Sequence, residues 1–256
     1  MERKPSLIPF ITAGDPDLNK TLDFLKIMDR YADVIELGIP FSDPIADGKT
    51  IQMSSARALG SGTSMAGVLD VVSKFKEGSD TPIVVMTYYN LIYHMGLDSF
   101  LAMAKEKGVD GIIIVDLPLE ESSEYRRLCE ETGLKTIFLA APNTSLERIR
   151  DIDEASTGFV YLVAHLGTTG ERENIPASTL ELLGKAKRIC KRPVAVGFGV
   201  SSPTHVAQLA QAGADAIIVG SSIVKLIEEY GRDAGPYIDE RLRSYEEAMK
   251  SRMEKV

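Results

Sequence analysis

Short apolar runs alternate with amphipathic segments along most of the chain. The runs show no polar alternation, which is typical of strands buried on both faces in a parallel sheet. The segments between them carry apolar residues at helical spacing. The predicted strands span residues 7–12, 34–37, 82–87, 111–115, 136–140, 159–163, 193–196 and 216–219. The predicted helices span residues 19–31, 65–76, 97–107, 120–131, 145–154, 180–190, 203–212 and 237–254.

This alternation predicts an α/β protein with a parallel sheet. A closed (β/α)8 TIM barrel normally takes roughly 250 residues, and the chain has 256. A doubly wound open sheet is the structural alternative, because alternation alone does not prove closure. The first turn between strand and helix, residues 13–16, lacks the glycine-rich dinucleotide fingerprint of that alternative. We therefore expect a single barrel domain spanning residues 1–256.

Composition and charge exclude several classes of function. A net charge of -8 argues against nonspecific nucleic-acid binding, because phosphate backbones recruit lysine and arginine. No apolar run approaches the length of a membrane span or of a signal peptide. Two cysteines without metal-ligand spacing suit a reducing compartment. We expect a cytoplasmic protein that binds neither nucleic acid nor membranes.

An unusual cluster of acids follows the second predicted strand. Residues 36–52 begin with Glu36 at the strand end and continue with Asp43 and Asp47, and their prolines and glycines predict irregular structure throughout. Asp116 ends another strand, so in a barrel all four acids converge at the carboxyl-terminal face. Loop acids commonly cap helices or turns. Glu36 is different, because a carboxylate on an apolar strand end is costly to bury, and we expect a raised pKa suited to proton transfer.

Glycine-rich turns follow the last three predicted strands. Gly170, Gly199 and Gly220 belong to these turns, and a short helix is expected to begin at Ser221 or Ser222. Glycines let backbone N–H groups approach an anion, and a helix N-terminus adds positive potential. Barrel phosphate sites commonly use the loops after strands seven and eight. The turns predict a phosphate site, although tight turns alone also favour glycine.

Apolar and aromatic residues lie at or near several predicted strand ends. Each of them taken alone is ordinarily a core residue, but together they suit a flat aromatic substrate. They are Phe10, Tyr88, Ile113, Tyr161, Phe198 and Ile218.

Four segments resemble one enzyme family. Residues 36–52 closely resemble the signature of the tryptophan synthase alpha subunits, as do residues 7–16, 115–118 and 197–201. The resemblance covers nearly the whole chain in the same order, and the acidic-loop motif is highly specific.

The resemblance implies a retro-aldol lyase that cleaves indole-3-glycerol phosphate to indole and glyceraldehyde 3-phosphate, at the last stage of tryptophan biosynthesis. It places the catalytic glutamate at Glu36, the catalytic aspartate at Asp47 and a contact with the beta subunit at Asp43. An alpha-beta-beta-alpha complex is implied, without a metal or an organic cofactor. The implied phosphate-binding positions are Gly170, Gly199, Gly220 and Ser221, and the implied substrate-pocket positions are Phe10, Tyr88, Tyr161 and Ile218.

Some departures and alternatives stay open. Lys49 stands where the motif often has proline, and His165 and Leu166 replace a more common Arg-Ser pair. These differences affect loops expected to close over substrate and meet the partner. A related phosphate-binding synthase or isomerase would share the glycine turns but not the acidic motif. A noncatalytic regulatory barrel that activates a partner synthase is the other alternative, and intact Glu36 and Asp47 argue against it.

Overall fold

Eight parallel strands close into a barrel in chain order, each pairing with its neighbours and the last pairing with the first. This closed arrangement confirms the predicted TIM barrel. The structure is a computed structural model that describes residues 5–163, 175–197 and 199–250. The strands are β1 (Ser6–Thr12), β2 (Ile35–Gly38), β3 (Ile83–Thr87), β4 (Gly111–Ile114), β5 (Lys135–Ala140), β6 (Val160–Val163), β7 (Val194–Gly197) and β8 (Ala216–Val219).

Helices surround the barrel and connect successive strands. Two short 3-10 turns, Leu119–Glu121 and Gly231–Asp233, supplement them. The described helices are α1 (Leu18–Met28), α2 (Lys49–Gly60), α3 (Met65–Lys76), α4 (Tyr89–Met95), α5 (Leu97–Glu106), α6 (Ser123–Thr132), α7 (Leu146–Ala155), α8 (Ala177–Ile189), α9 (Pro203–Gln211), α10 (Ser221–Tyr230) and α11 (Gly235–Lys250). None of these helices is long and apolar enough to cross a membrane.

Strand side chains alternate between two hydrophobic layers. On β2, Ile35 and Leu37 pack outward against the helices, so Glu36 between them points into the barrel. Its register neighbours on β1 and β3 belong to the inner layer. Each large side chain buried there stabilises the fold by about 1.5–3 kcal/mol. The inner layer includes Ile8, Phe10, Val84, Met86, Ile113, Ile137, Tyr161, Ala195 and Ile218.

A repeated two-bond clamp joins the strands in pairs at the amino-terminal end of the barrel. A residue shortly before each even-numbered strand donates its N–H to a carbonyl of the preceding odd-numbered strand, at 2.9–3.0 Å. Its side chain accepts the N–H of the strand residue that supplies this carbonyl, at 2.8–2.9 Å. The clamped pairs are Asp33 with Leu7, Asp110 with Ile83, Thr157 with Thr136, and Asp215 with Val194.

Two helices differ from the sequence prediction. Residues 49–52 were expected to be irregular, but they form the first turn of α2. The buried face of α2 consists of Ser54, Ser55 and Ala58, which are too small or too polar to give an apolar periodicity. Helix α4 was also missed, because it is short and Ile92 is its only fully buried residue.

The clamp between Asp215 and Val194 allows a test of how much such a pair stabilises the fold. We expect Asp215→Ala to lower the free energy of unfolding by about 1–3 kcal/mol, since it leaves the Val194 N–H unpaired. Asp215→Asn retains an acceptor and should recover most of that loss. Urea denaturation measures both. Asp23→Ala, on the exposed face of α1, is the control and should cost less than about 0.5 kcal/mol. Equal losses for the Ala and Asn variants would assign the effect to the Lys187 ion pair instead.

Candidate active site

A pocket opens at the carboxyl-terminal end of the barrel. It encloses about 410 Å³ when its open mouth is included. Eight of the residues predicted from the sequence for catalysis or binding meet there. The pocket is lined by Phe10, Glu36, Asp47, Ile51, Met86, Tyr161, Gly199, Val200, Ile218, Gly220 and Ser221.

Glu36 is a carboxyl group buried inside the barrel. It is 1% exposed, and within the described residues its Oε2 atom has no hydrogen-bond partner. Burial, and secondarily the negative charge of Asp47, raise the pKa of Glu36 from 4.5 to about 8. The raised pKa expected from its place on an apolar strand is therefore found. At neutral pH the group is mainly protonated and holds a proton at the pocket wall.

Asp47 reaches the same pocket from the loop between β2 and α2. Burial raises the pKa of Asp47 to about 6, and a hydrogen bond from Tyr88 opposes this rise. The Tyr88 hydroxyl donates to Asp47 Oδ2 at 2.9 Å and accepts the N–H of Ala46 at 3.1 Å. The Tyr88 ring also stacks on Phe41, with 5.0 Å between the centroids. One tyrosine therefore fixes both the loop and its carboxylate.

The two carboxyl groups differ in charge near neutral pH. With pKa values of about 8 and about 6, Glu36 is protonated while Asp47 is mostly ionised. Separation of this kind assigns one group as a proton donor and the other as a fixed negative charge. The pocket can thus deliver a proton at one point and stabilise a developing positive charge at another.

Another part of the pocket wall is suited to an anion. Gly199 and Gly220 line it, together with Ser221, which is the first residue of α10. The first N–H groups of a helix are free to bind a ligand, and its dipole favours a negative charge there. Gly199 has a φ of +76°, a conformation that other residues adopt only with strain. The β7 and β8 loops thus bring two glycines and a helix N-terminus to one part of the pocket wall.

An apolar wall lies beside the carboxyl groups. Phe10, Tyr161 and Ile218 come from β1, β6 and β8, and all three are buried. A Cβ atom on Gly197 would lie 2.6 Å from the Tyr161 ring, so glycine leaves the space that this ring occupies. Aromatic and aliphatic surfaces of this kind suit a flat ring system.

Other predicted residues lie elsewhere. Ile113 is fully buried in the barrel interior and is not among the pocket-lining residues. Asp116 Oδ1 accepts the N–H of Tyr89 at 2.7 Å, so it caps the start of α4. Asp43 is exposed in the β2–α2 loop, where it accepts a hydrogen bond from Ser42.

Gly170 and Phe198 lie outside the described residues. Three pocket-lining residues were not singled out from the sequence, namely Ile51, Met86 and Val200. Met86 shares the inward side of β3 with Val84, and strand alternation would have indicated it. Ile51 was missed because its helix was missed.

Comparison with known proteins identifies the family of this chain. The family model for the tryptophan synthase alpha chain matches residues 1–254. The chain belongs to that family. The tryptophan synthase alpha chain of Pyrococcus furiosus is 54% identical over 242 residues, which cover 94% of this chain and 98% of the relative. That of Archaeoglobus fulgidus is 50% identical, covering 90% of this chain and 92% of the relative.

Solved structures of the tryptophan synthase family share the fold. A chain in a structure of the Pyrococcus furiosus tryptophan synthase a2b2 complex aligns with a TM-score of 0.92 and 53% sequence identity. The alignment covers 96% of this chain and 99% of that chain.

Burial of Glu36 predicts a pH-dependent gain in stability for Glu36→Gln. The pKa of this acid is raised on folding, so its contribution to stability is fully present below pH 4.5 and is lost as pH rises to about 8. Across that interval the free energy of unfolding of the wild type should fall by up to ~1.4 kcal/mol per pH unit relative to that of the Gln variant. Urea denaturation of both proteins over the pH series measures the difference. A difference that stays constant with pH would mean that Glu36 titrates normally.

Proposed function

We propose that this protein is the alpha subunit of a tryptophan synthase and cleaves indole-3-glycerol phosphate to indole and glyceraldehyde 3-phosphate. The observation that carries the proposal is the pair of carboxyl groups, Glu36 and Asp47, with separated pKa values in one pocket. Family membership over residues 1–254 supports the same reaction. A noncatalytic regulatory barrel would have no use for a buried carboxyl group maintained at this cost.

Glu36 supplies the proton that makes indole a leaving group. Its carboxylic acid protonates C3 of the indole ring, which converts the ring to an indolenine-like cation. The resulting carboxylate then removes the proton of the adjacent glycerol hydroxyl. That oxygen forms the aldehyde, the carbon–carbon bond breaks, and its electron pair returns to the ring to give neutral indole. The proton lost from Glu36 is recovered from the hydroxyl, so the acid is ready for another turnover.

Asp47 stabilises the charge that develops during this step. Protonation at C3 places positive charge on the ring nitrogen, and an ionised carboxylate that accepts the N–H hydrogen bond lowers the energy of that cation. Its pKa of about 6 keeps it mostly ionised at neutral pH. The Tyr88 hydrogen bond helps to keep it ionised and holds its orientation.

The remaining pocket residues position the substrate. Gly199, Gly220 and Ser221 are proposed to bind the phosphate, and the pocket walls pack against the indole ring. Gly170 is assigned to the phosphate site by its match to the family motif. Phe10, Tyr161 and Ile218 line the pocket and are proposed to contact the indole ring, as are Tyr88, which bonds to Asp47, and Phe198, which follows β7 in the sequence.

A beta subunit is proposed to dock beside the mouth of the pocket. Ile45 is 85% exposed and Tyr93 is 71% exposed, and both follow strand ends at this face of the barrel, close in sequence to Asp47 and Tyr88. Exposed apolar residues near a site mark a contact surface, and Asp43 lies in the same loop as Ile45. The related Pyrococcus furiosus structure is of a mutually activating a2b2 complex.

We place this reaction in the cytoplasm. Cys129 and Cys190 are both free thiols, which supports a reducing compartment.

The proton-transfer role is tested by Glu36→Gln. We expect indole release from indole-3-glycerol phosphate to fall by about 10²–10⁴-fold, because general acid catalysis typically contributes that much. Single-turnover assays with the isolated chain measure it. Asp43→Asn changes an exposed acid in the β2–α2 loop that does not line the pocket, so it is the matched control and should retain the wild-type rate. A Gln variant as active as wild type would refute the role of Glu36. A wild-type chain that binds the substrate without cleaving it, with or without a beta subunit, would favour the regulatory alternative.

The docking surface is tested by Ile45→Ser and Tyr93→Ser. Each removes an exposed apolar contact, so each should weaken activation of indole release by an added beta subunit while leaving the unassisted rate unchanged. The measurement is indole release against beta-subunit concentration. Tyr237→Ser, at the start of α11, removes a half-exposed aromatic ring that stacks on Tyr230 and belongs to neither the β2 loop nor the β3 loop, so it should activate normally. Normal activation of all three variants would exclude this surface.

A further inference from the structure

Helix α11 lies behind the two loops that form the anion-binding part of the pocket. Arg241 and Tyr245 are four residues apart on this helix, so they point from the same face. Each reaches a different loop. Tyr245 contacts the first turn of α10, and Arg241 contacts the segment that follows β7.

The contact from Tyr245 is a buried hydrogen bond between two hydroxyl groups. The Tyr245 hydroxyl bonds to Ser222 Oγ at 2.8 Å, and both residues are buried. Ser222 is the second residue of α10, directly after Ser221 and Gly220, which line the pocket. A shift of Ser222 would therefore move the pocket-lining residues Gly220 and Ser221.

The contact from Arg241 supports the other loop. Arg241 Nη1 donates to the carbonyl of Ser201 at 3.4 Å. The N–H of Ser201 in turn donates to Nδ1 of the buried residue His205 at 3.3 Å. Ser201 follows Gly199 and Val200, which both line the pocket. One face of α11 thus contacts Ser201 and Ser222, which lie next to pocket-lining residues in the chain. The helix itself supplies no pocket-lining residue.

We propose that Tyr245 is a positioning residue that sets the phosphate affinity of this enzyme through Ser222. The inference rests on the proposed function, because it assumes that the substrate phosphate binds at the start of α10. A helix N-terminus acts on an anion only within its first turn, so small displacements there weaken binding. Tyr245 is not among the residues that line the pocket. Its loss should therefore raise KM much more than it lowers kcat.

The test compares two buried tyrosines. Tyr245→Phe should weaken binding of glycerol 3-phosphate, and raise KM for indole-3-glycerol phosphate, by about 3- to 10-fold. Tyr125→Phe is the matched control: its hydroxyl is also buried and donates to the Ile112 carbonyl at 2.8 Å, away from the pocket loops. Both variants should lower Tm, but only Tyr245→Phe should change the affinity. Calorimetric titration and steady-state kinetics supply the readouts.

Ser222→Ala removes the same hydrogen bond from its other end. It should reproduce the affinity loss, and the double variant should bind no more weakly than either single variant, because one interaction is lost in each case. This variant keeps the test decisive if Tyr245→Phe does not fold. Unchanged affinity in both single variants, or an equal affinity loss in Tyr125→Phe, would overturn the inference. A wild-type chain that binds no glycerol 3-phosphate would refute the phosphate site itself.

Discussion

An acid group enclosed by the barrel interior is the constraint on which the pocket depends. Raising the pKa of Glu36 from 4.5 to about 8 corresponds to roughly 5 kcal/mol against its ionised form. This is comparable to the whole stability of many small domains, which is about 5–15 kcal/mol. At neutral pH the acid stays protonated, and the apolar layers on both sides of the sheet must offset roughly 3 kcal/mol for keeping it so. A rigid, extensively buried barrel can retain such a group where a loop could not.

The position and charge of the second acid, Asp47, depend on a hydrogen bond rather than on a strand. Asp47 lies on a loop, so neither its position nor its charge is fixed by a strand. Tyr88, at the end of β3, provides both by bonding to its carboxylate and to the neighbouring Ala46 N–H. Burial and this hydrogen bond act on Asp47 in opposite directions. Two carboxyl groups in one pocket therefore hold different charges because one is surrounded by apolar side chains and the other is bonded to a hydroxyl.

The sequence was sufficient for the barrel and for much of the pocket, because both depend on strand periodicity. Continuous apolar runs predicted the eight strands, and the acid on the second run indicated Glu36. Helix α2 could not be predicted this way, since its buried face is made of small residues. The bond between Tyr88 and Asp47 joins residues 41 positions apart. Such a pairing follows from the side-by-side pairing of β2 and β3, and no local sequence pattern reports it.

The clamps at the opposite end of the barrel have a consequence for the chemistry. Because side chains alternate along a strand, a slip of β2 by one residue against β1 would turn Glu36 outward and place Ile35 or Leu37 in the pocket. Asp33 holds the N–H and carbonyl of Leu7 only in one register. It stands three positions before Glu36 and at the far end of β2, yet it selects the face on which the acid emerges. The clamps therefore act against misfolded barrels in which every strand is present and the enzyme is inactive.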